Sequence, residues 1–199
     1  WTRFIPSMQK VLDLIESDAI GEIIFVKADF GFKSEHSLDS RIFNKKLGAG
    51  SLLDIGIYPV YLSLLTLGIP TDIKAMARMT STNVDAYCSM LFDYKNKAKA
   101  LLESSIEADT PTEGYIYGTK GSIKLHSRFH HTRELTLTRE GKEIKYSLDL
   151  VGNGYYHEIE EVNKCLRNGE IESKLATLKT SLELIEILDR VRKEIDLEY

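Results

Sequence analysis

The sequence predicts an α+β domain: an open-faced, mainly antiparallel β-sheet with helices packed on one face. Three observations lead there. From Thr71 to Ser147 the apolar residues recur mostly at every second position, the period of a strand. The segments between those strands are as short as hairpin turns, and strands joined so closely pair antiparallel. Helical patterns are grouped before and after that run instead of alternating with it, which separates α+β from a doubly wound sheet.

Taken in order, Ser7 to Ser17 reads as a helix, with Pro6 at its start and Met8, Val11, Leu12 and Ile15 on one face. Gly21 breaks it, and Glu22 to Phe32, rich in β-branched and aromatic residues, reads as a strand. Lys33 to Lys46 is polar and irregular. A helix from Gly50 to Leu67 follows, stopped by Gly68 and Pro70. Pro59 inside it lacks an N–H and is expected to bend it or to remove one backbone hydrogen bond. Candidate strands are Ile73–Thr80, Asp85–Tyr94, Ala98–Glu107, Glu113–Tyr117, Ser122–Leu125, Leu135–Arg139 and Glu143–Tyr146. Lys95-Asn-Lys97, Gly118-Thr-Lys-Gly121 and Glu140-Gly-Lys142 have the length and residue types of hairpin turns. Helices over Tyr155–Arg167 and Thr177–Ile195 close the chain, the second with Arg190-Val-Arg-Lys-Glu194 as solvated last turns. The strand at Tyr87–Phe92 is apolar at positions of both parities. Neither face of the sheet is therefore fully solvated, and the open face is expected to pair with a second copy of the chain, the alternative being a flanking helix from another domain.

Composition narrows the function. The 199 residues are 43% hydrophobic and 28% charged, with a net charge of −4. That balance lacks the basic excess of a nucleic-acid surface. Cys88 and Cys165 lie in unlike contexts, an apolar run and an amphipathic helix. They read as reduced thiols, and a cytoplasmic setting is expected. No apolar run is read as long enough for a membrane span, and no signal peptide precedes the fold. His126, His130 and His131 lack a neighbouring Cys, and adjacent histidines on an extended segment point to opposite sides. They read as part of a polar hairpin, so no metal site is expected.

The most informative stretch is Leu47-Gly-Ala-Gly-Ser-Leu-Leu-Asp-Ile-Gly-Ile-Tyr-Pro-Val-Tyr61. A Gly-rich turn runs into a helix carrying Asp54 and Tyr58 four residues apart, on one face and about 6 Å apart along the axis. Leu53, Ile57, Val60, Leu64 and Leu67 fall on the neighbouring face. A carboxylate beside a phenol suits proton transfer and hydroxyl recognition. Asp54 also reads as an ion-pair partner or as a first-turn acid favoured by the helix dipole. A cofactor-free hydrolase finds no support, because no Gly-x-Ser-x-Gly elbow is present.

That stretch resembles the Gly-Gly-Gly/Ala-x-Leu-x-Asp-x-Gly-x-His/Tyr segment of the Gfo/Idh/MocA family of NAD(P)-dependent oxidoreductases. Its tyrosine is similar to the branch of dihydrodiol dehydrogenase and glucose-fructose oxidoreductase. Trp1-Thr-Arg-Phe-Ile-Pro6, Tyr117-Gly-Thr-Lys-Gly-Ser-Ile123 and Gly154-Tyr-Tyr-His-Glu-Ile-Glu-Glu-Val162 agree with the family in the same order. So do Ile171-Glu-Ser173 and Ser181-Leu-Glu-Leu-Ile-Glu-Ile-Leu-Asp189. The resemblance spans essentially the whole chain and implies the open-sheet C-terminal domain type also found in glyceraldehyde-3-phosphate dehydrogenase.

The resemblance implies a function as well. Tyr58 is expected to be the acid/base at the oxygen of a sugar, polyol or diol that exchanges hydride with a nicotinamide, and Asp54 the carboxylate beside it. A free tyrosine titrates near pH 10, so acting as a base calls for a nearby cation, which the family's lysine would supply. Trp1 and Arg3 belong to the segment that faces the cofactor. Tyr155 and Tyr156 precede a helix near the substrate pocket, one expected to line the pocket and the other the core. His157 is expected to be a capping or surface histidine. The chain opens on Trp1, with no Gly-x-Gly-x-x-Gly and no Glu-Lys-Pro segment. Residues 1–199 are accordingly expected to be a C-terminal substrate-binding and oligomerisation domain, without its N-terminal Rossmann domain. NAD or NADP would be bound mainly by that missing domain, and the isolated chain would be inactive. The competing expectation is a non-catalytic binding or assembly module of the same fold, with Tyr58 as packing.

Overall fold

The first strand of the chain lies in the middle of its sheet. In a computed structural model, which describes residues 1–199, the strands are β1 (Ile23–Gly31), β2 (Asp72–Met79), β3 (Asp85–Asp93), β4 (Lys99–Ser105), β5 (Gly114–Gly118), β6 (Gly121–Leu125), β7 (Glu134–Arg139) and β8 (Lys142–Ser147). They form one eight-stranded sheet in the order β2-β3-β4-β1-β5-β6-β7-β8. Every predicted strand is present within a residue or two of its expected ends. The successive hairpins pair antiparallel as their short turns require. The exception is β1, which runs parallel to β4 with Val26 opposite Ala100 and Ala28 opposite Leu102. On its other side β1 is antiparallel to β5. A parallel pair needs a long crossover, here the chain that contains the site helix and the β2–β3 hairpin.

Helices cover one face. They are α1 (Pro6–Glu16), α2 (Ile57–Leu67), α3 (Tyr156–Arg167) and α4 (Leu178–Glu194). On β1, β3, β4 and β5, Val26, Ala28, Met90, Phe92, Leu102 and Ile116 point inward and are buried with Met8, Val11, Leu52, Val60, Leu62, Leu188 and Val191 from the helical side. Pro at the first turn of α1 removes only an N–H that has no intrahelical partner. The helix α2 packs on β1 and β4, and α4 packs on β2 and α2. The helix α3 sits at the rim against the 3-10 turn Thr2–Phe4 and buries only Cys165. Alternation leaves Phe25, Met76, Leu91 and Leu101 exposed on the open face, among Lys27, Lys74 and Glu103. Cys88 and Cys165 are both free.

Three details depart from the sequence reading. The helix α2 continues through Pro59 without a break. Its irregularity comes one turn earlier, as a π-helical turn over Leu52–Gly56. The proline cannot donate to the carbonyl of Ile55, and that carbonyl lies within the wide turn, so the missing bond is absorbed. Within Lys45–Leu67 an 18-residue stretch reaches a mean hydropathy of 1.4, long and apolar enough to cross a membrane, although none was read from the sequence. More than half of it is buried inside the fold, and Gly48 interrupts it in a left-handed conformation, so it is a core element. Arg190, read as solvated, donates to the carbonyls of Pro70 at 2.8 Å and Thr71 at 3.2 Å, tying α4 to the loop after α2.

Candidate active site

The Gly-rich turn holds the site helix against the sheet. Gly50 adopts φ +109°, a conformation side chains rarely take. A Cβ there would also overlap the carboxylate of Asp85. Asp85 is fully buried at the start of β3. Its Oδ2 accepts the Ser51 hydroxyl at 2.7 Å and the Leu52 N–H at 2.6 Å. Ser51 also meets Ser104 Oγ on β4 at 2.9 Å. One carboxylate thus satisfies an orphan N–H at the helix start and joins the turn to two strands. Burial pushes the Asp85 carboxyl above the usual range, against the opposing pull of these hydrogen bonds.

Asp54 and Tyr58 project from the helix so positioned, yet no hydrogen bond joins them. Asp54 Oδ1 accepts from the guanidinium of Arg41 at 2.5 Å. The ion-pair reading of Asp54 therefore holds, with a partner from the irregular segment before the turn. That segment is anchored by Ile42 and Phe43, which pack with Ile55 and Ile106 and against Phe30 and Phe32 in a second small core. The Tyr58 oxygen accepts the indole N–H of Trp1 at 3.4 Å. The hydroxyl of Tyr58 donates to no protein group, so its proton is free for a ligand.

Around Tyr58 the chain assembles an aromatic cluster. The Tyr58 ring lies 4.7 Å from His130 and 5.5 Å from Phe30, and His130 stacks on Phe30 at 4.5 Å. Trp1 stacks on His131 at 5.1 Å and leans on Tyr155 at 4.7 Å. A side chain at Gly154, where φ is +98°, would press on the Trp1 ring. Tyr155 thus joins the cluster. Tyr156 does not: it is about as exposed as Tyr155 and meets only His157 edge-on. The division of one tyrosine to the pocket and one to the core is corrected, because the first turn of α3 lies at the rim with no core beneath it. His157 accepts the Val151 N–H at 3.3 Å, a local loop cap.

The histidine segment is the larger correction. Residues Phe129–His131 form a 3-10 turn after Arg128, which takes a left-handed conformation. Neighbouring side chains then no longer alternate, and the His130 and His131 rings come within 4.3 Å of each other. His130 is buried. Burial first, then His131 and Arg128, lowers its pKa to about 3, so the ring is neutral. Only a buried Phe beside two histidines hinted at this in the sequence. No group of three or more His, Cys, Asp or Glu side chains is arranged to hold a metal.

A cavity of about 280 Å³ opens on the α4 side of Tyr58, lined by Trp1, Arg3, Tyr61, Thr177 and Ser181 among others. Arg3 brings to it a buried Nη1 with no partner. Burial lowers the Arg3 pKa and raises that of Tyr61, while the proximity of the two favours their charged forms. An unpartnered guanidinium nitrogen in a cavity beside an available phenol proton fits a polar ligand that carries oxygen acceptors.

Known proteins resemble this chain in sequence and in fold. The sequence profile described as GFO/IDH/MocA C-terminal domain matches residues 8–124. Trans-1,2-dihydrobenzene-1,2-diol dehydrogenase of Xenopus tropicalis is 32% identical over all of this chain and 62% of its own length. The human protein of the same name is 30% identical over 61% of its length. The chain therefore spans about three fifths of these relatives. Among solved structures, a 3-ketoreductase from Actinomadura kijaniata in complex with NADP and TDP-benzene superposes with a TM-score of 0.82 at 22% identity. That match covers 98% of this chain and 60% of the other, and it shows the shared fold.

Proposed function

This chain belongs to the GFO/IDH/MocA family, and we propose that it is the substrate-binding and dimerisation domain of an NAD(P)-dependent oxidoreductase acting on a sugar, polyol or diol. The observation that carries the reading is the Tyr58 hydroxyl, whose oxygen is held by Trp1 and whose proton no protein group uses. Its setting is the cavity that also holds the unpartnered Arg3 nitrogen. The relatives named above are oxidoreductases by name, and NADP occupies one of the similar structures.

In this reading Tyr58 gives a proton to the substrate oxygen as a carbonyl is reduced and takes it back in the reverse direction. Such a group contributes about 10²–10⁴ in rate. Trp1 holds the phenol oxygen, and Asp54, steadied by Arg41, accepts from a second substrate hydroxyl. Arg3 and Trp1 lie on the cofactor side, and Tyr155 walls the substrate, with Tyr156 at the outer edge. NAD or NADP, bound mainly by a dinucleotide-binding domain outside this chain, supplies or takes the hydride.

Two exposed apolar surfaces support the division of labour. The open sheet face, with Leu91 and Leu101, suits a second copy of the chain. Ile159, Val162 and Leu166 on α3, with Leu178 and Leu182 on α4, are exposed on the helical side and suit the dinucleotide-binding domain. The test is nicotinamide reduction by the complete protein with a panel of dihydrodiols, polyols and aldoses. Turnover by the complete protein and none by residues 1–199 is expected. Turnover by the 199-residue chain alone would overturn the assignment.

A further inference from the structure

A second concavity adjoins the aromatic cluster and has a different character. It is an open cleft of about 600 Å³ whose wall includes Arg128, Arg133, His126, His131, Glu134 and Asn153. Neither guanidinium takes part in any ion pair or side-chain hydrogen bond of the structure. Glu134 is the only carboxylate in the wall, so the cleft is left with a positive excess. His131 has a buried Nδ1 without a partner. His126 has its ring anchored, Nε2 meeting Thr136 Oγ1 at 2.8 Å. Burial and then Arg128 lower the His131 pKa, which keeps that ring neutral and able to offer one N–H.

The cleft is linked to the reacting centre by one side chain. The Trp1 ring stacks on His131 at 5.1 Å, and Trp1 Nε1 donates to Tyr58 at 3.4 Å. The cleft therefore begins one indole width from the Tyr58 oxygen. Two unpaired guanidinium groups are well matched to the oxygens of a phosphate or carboxylate, which they bind in paired, charge-assisted hydrogen bonds. We propose that this cleft seats an oxyanion carried by the substrate, so that the preferred substrate is a sugar or polyol bearing a phosphate or carboxylate. The proposal rests on Tyr58 as the reacting centre for its placement, but not for the binding it predicts.

The test is binding, read by calorimetry on the 199-residue chain, with glucose 6-phosphate, glucose, inorganic phosphate and NADP as separate probes. Glucose 6-phosphate should bind more tightly than glucose by on the order of tenfold or more. Inorganic phosphate should compete with it. R128Q with R133Q should abolish that preference while leaving the melting temperature unchanged, since both side chains are free of internal partners. Equal binding of the two sugars, or a preference that survives the double substitution, would overturn the proposal. So would arginine-dependent binding of NADP without binding of the sugar phosphate, which would make the cofactor the source of the oxyanion. Because no turnover is read, failure of the dehydrogenase reading leaves this result standing. Turnover of neutral diols with no phosphate binding would sink this proposal alone.

Discussion

Trp1 and Tyr58, 57 positions apart, meet side chain to side chain, the indole N–H donating to the phenol oxygen at 3.4 Å. The contact joins the start of the chain to the helix that carries the proposed acid/base. It uses the oxygen of Tyr58 as an acceptor and leaves the hydroxyl proton directed to no protein group.

In the complete protein, Tyr58→Phe should lower kcat by about 10²–10⁴. Folding stability should change by less than about 1 kcal/mol, because a single long hydrogen bond at a partly buried site is lost. Steady-state kinetics and thermal melting read the two effects separately. Wild-type turnover in this variant would end the catalytic assignment and favour the assembly module.

Asp54→Asn should cost about 10–100-fold in kcat/KM, the worth of one charge-assisted hydrogen bond to a substrate hydroxyl. Arg41→Gln should cost less, since it only releases the carboxylate. The Arg41–Asp54 pair reaches solvent through a largely exposed arginine, so neither change should move stability by more than about 1 kcal/mol. A larger rate loss in Arg41→Gln than in Asp54→Asn would reverse the roles given to the two residues.

Gly50→Ala should destabilise the fold by about 1–3 kcal/mol from its backbone conformation alone, with more from the overlap with Asp85. Asp85→Ala should cost about 1–3 kcal/mol, because the buried Leu52 N–H loses its acceptor while the Ser51 hydroxyl keeps Ser104. Asp85→Asn keeps an acceptor and isolates the charge. The folded pKa of Asp85 lies above its ordinary 3.8, so its contribution is fully present below about pH 4 and is lost as pH rises through the raised value. Denaturant melts should show wild type losing ground to Asp85→Asn over that interval. Parallel pH curves would refute the buried-charge account.

His130 predicts the opposite slope. Its pKa falls from 6.5 to about 3 on folding. The unfolded chain therefore takes up a proton below pH 6.5 that the folded chain refuses, and stability is lost as pH drops toward 3. The slope should approach 1.4 kcal/mol per pH unit at most, roughly. His130→Phe, suited to the apolar rings around it, should remove this component, and an NMR titration of the wild-type ring should show it neutral at pH 5.

On the open face Leu91 and Leu101 are register neighbours on β3 and β4, and both are exposed. Sedimentation should find a dimer burying at least about 1,000 Å² in total. L91E combined with L101E should give a monomer with nearly unchanged melting temperature, as neither side chain belongs to the core. A monomeric wild type at high concentration would count against the sheet as an interface.

Local chemistry made much of this protein legible in its sequence. Period-two apolar runs separated by short turns specify strands, hairpins and the buried face of each. Gly48, Gly50 and the residues from Ser51 to Leu67 announce a tight turn feeding an apolar helix, and that helix does carry Asp54 and Tyr58, of which Tyr58 lines the cavity. Tertiary structure decided what those residues meet. The hydrophobic pattern of β1 states which side is buried, but not that β4 will lie parallel beside it, because pairing energy is realised only after a long crossover. A buried Asp85 behind the glycine turn, an Arg41 on Asp54 and a Trp1 on Tyr58 are contacts between distant segments that no spacing encodes. The histidines show the same limit in miniature: one left-handed residue, Arg128, ends the alternation an extended strand would impose and brings two side chains read as part of a polar hairpin into the aromatic cluster around Tyr58.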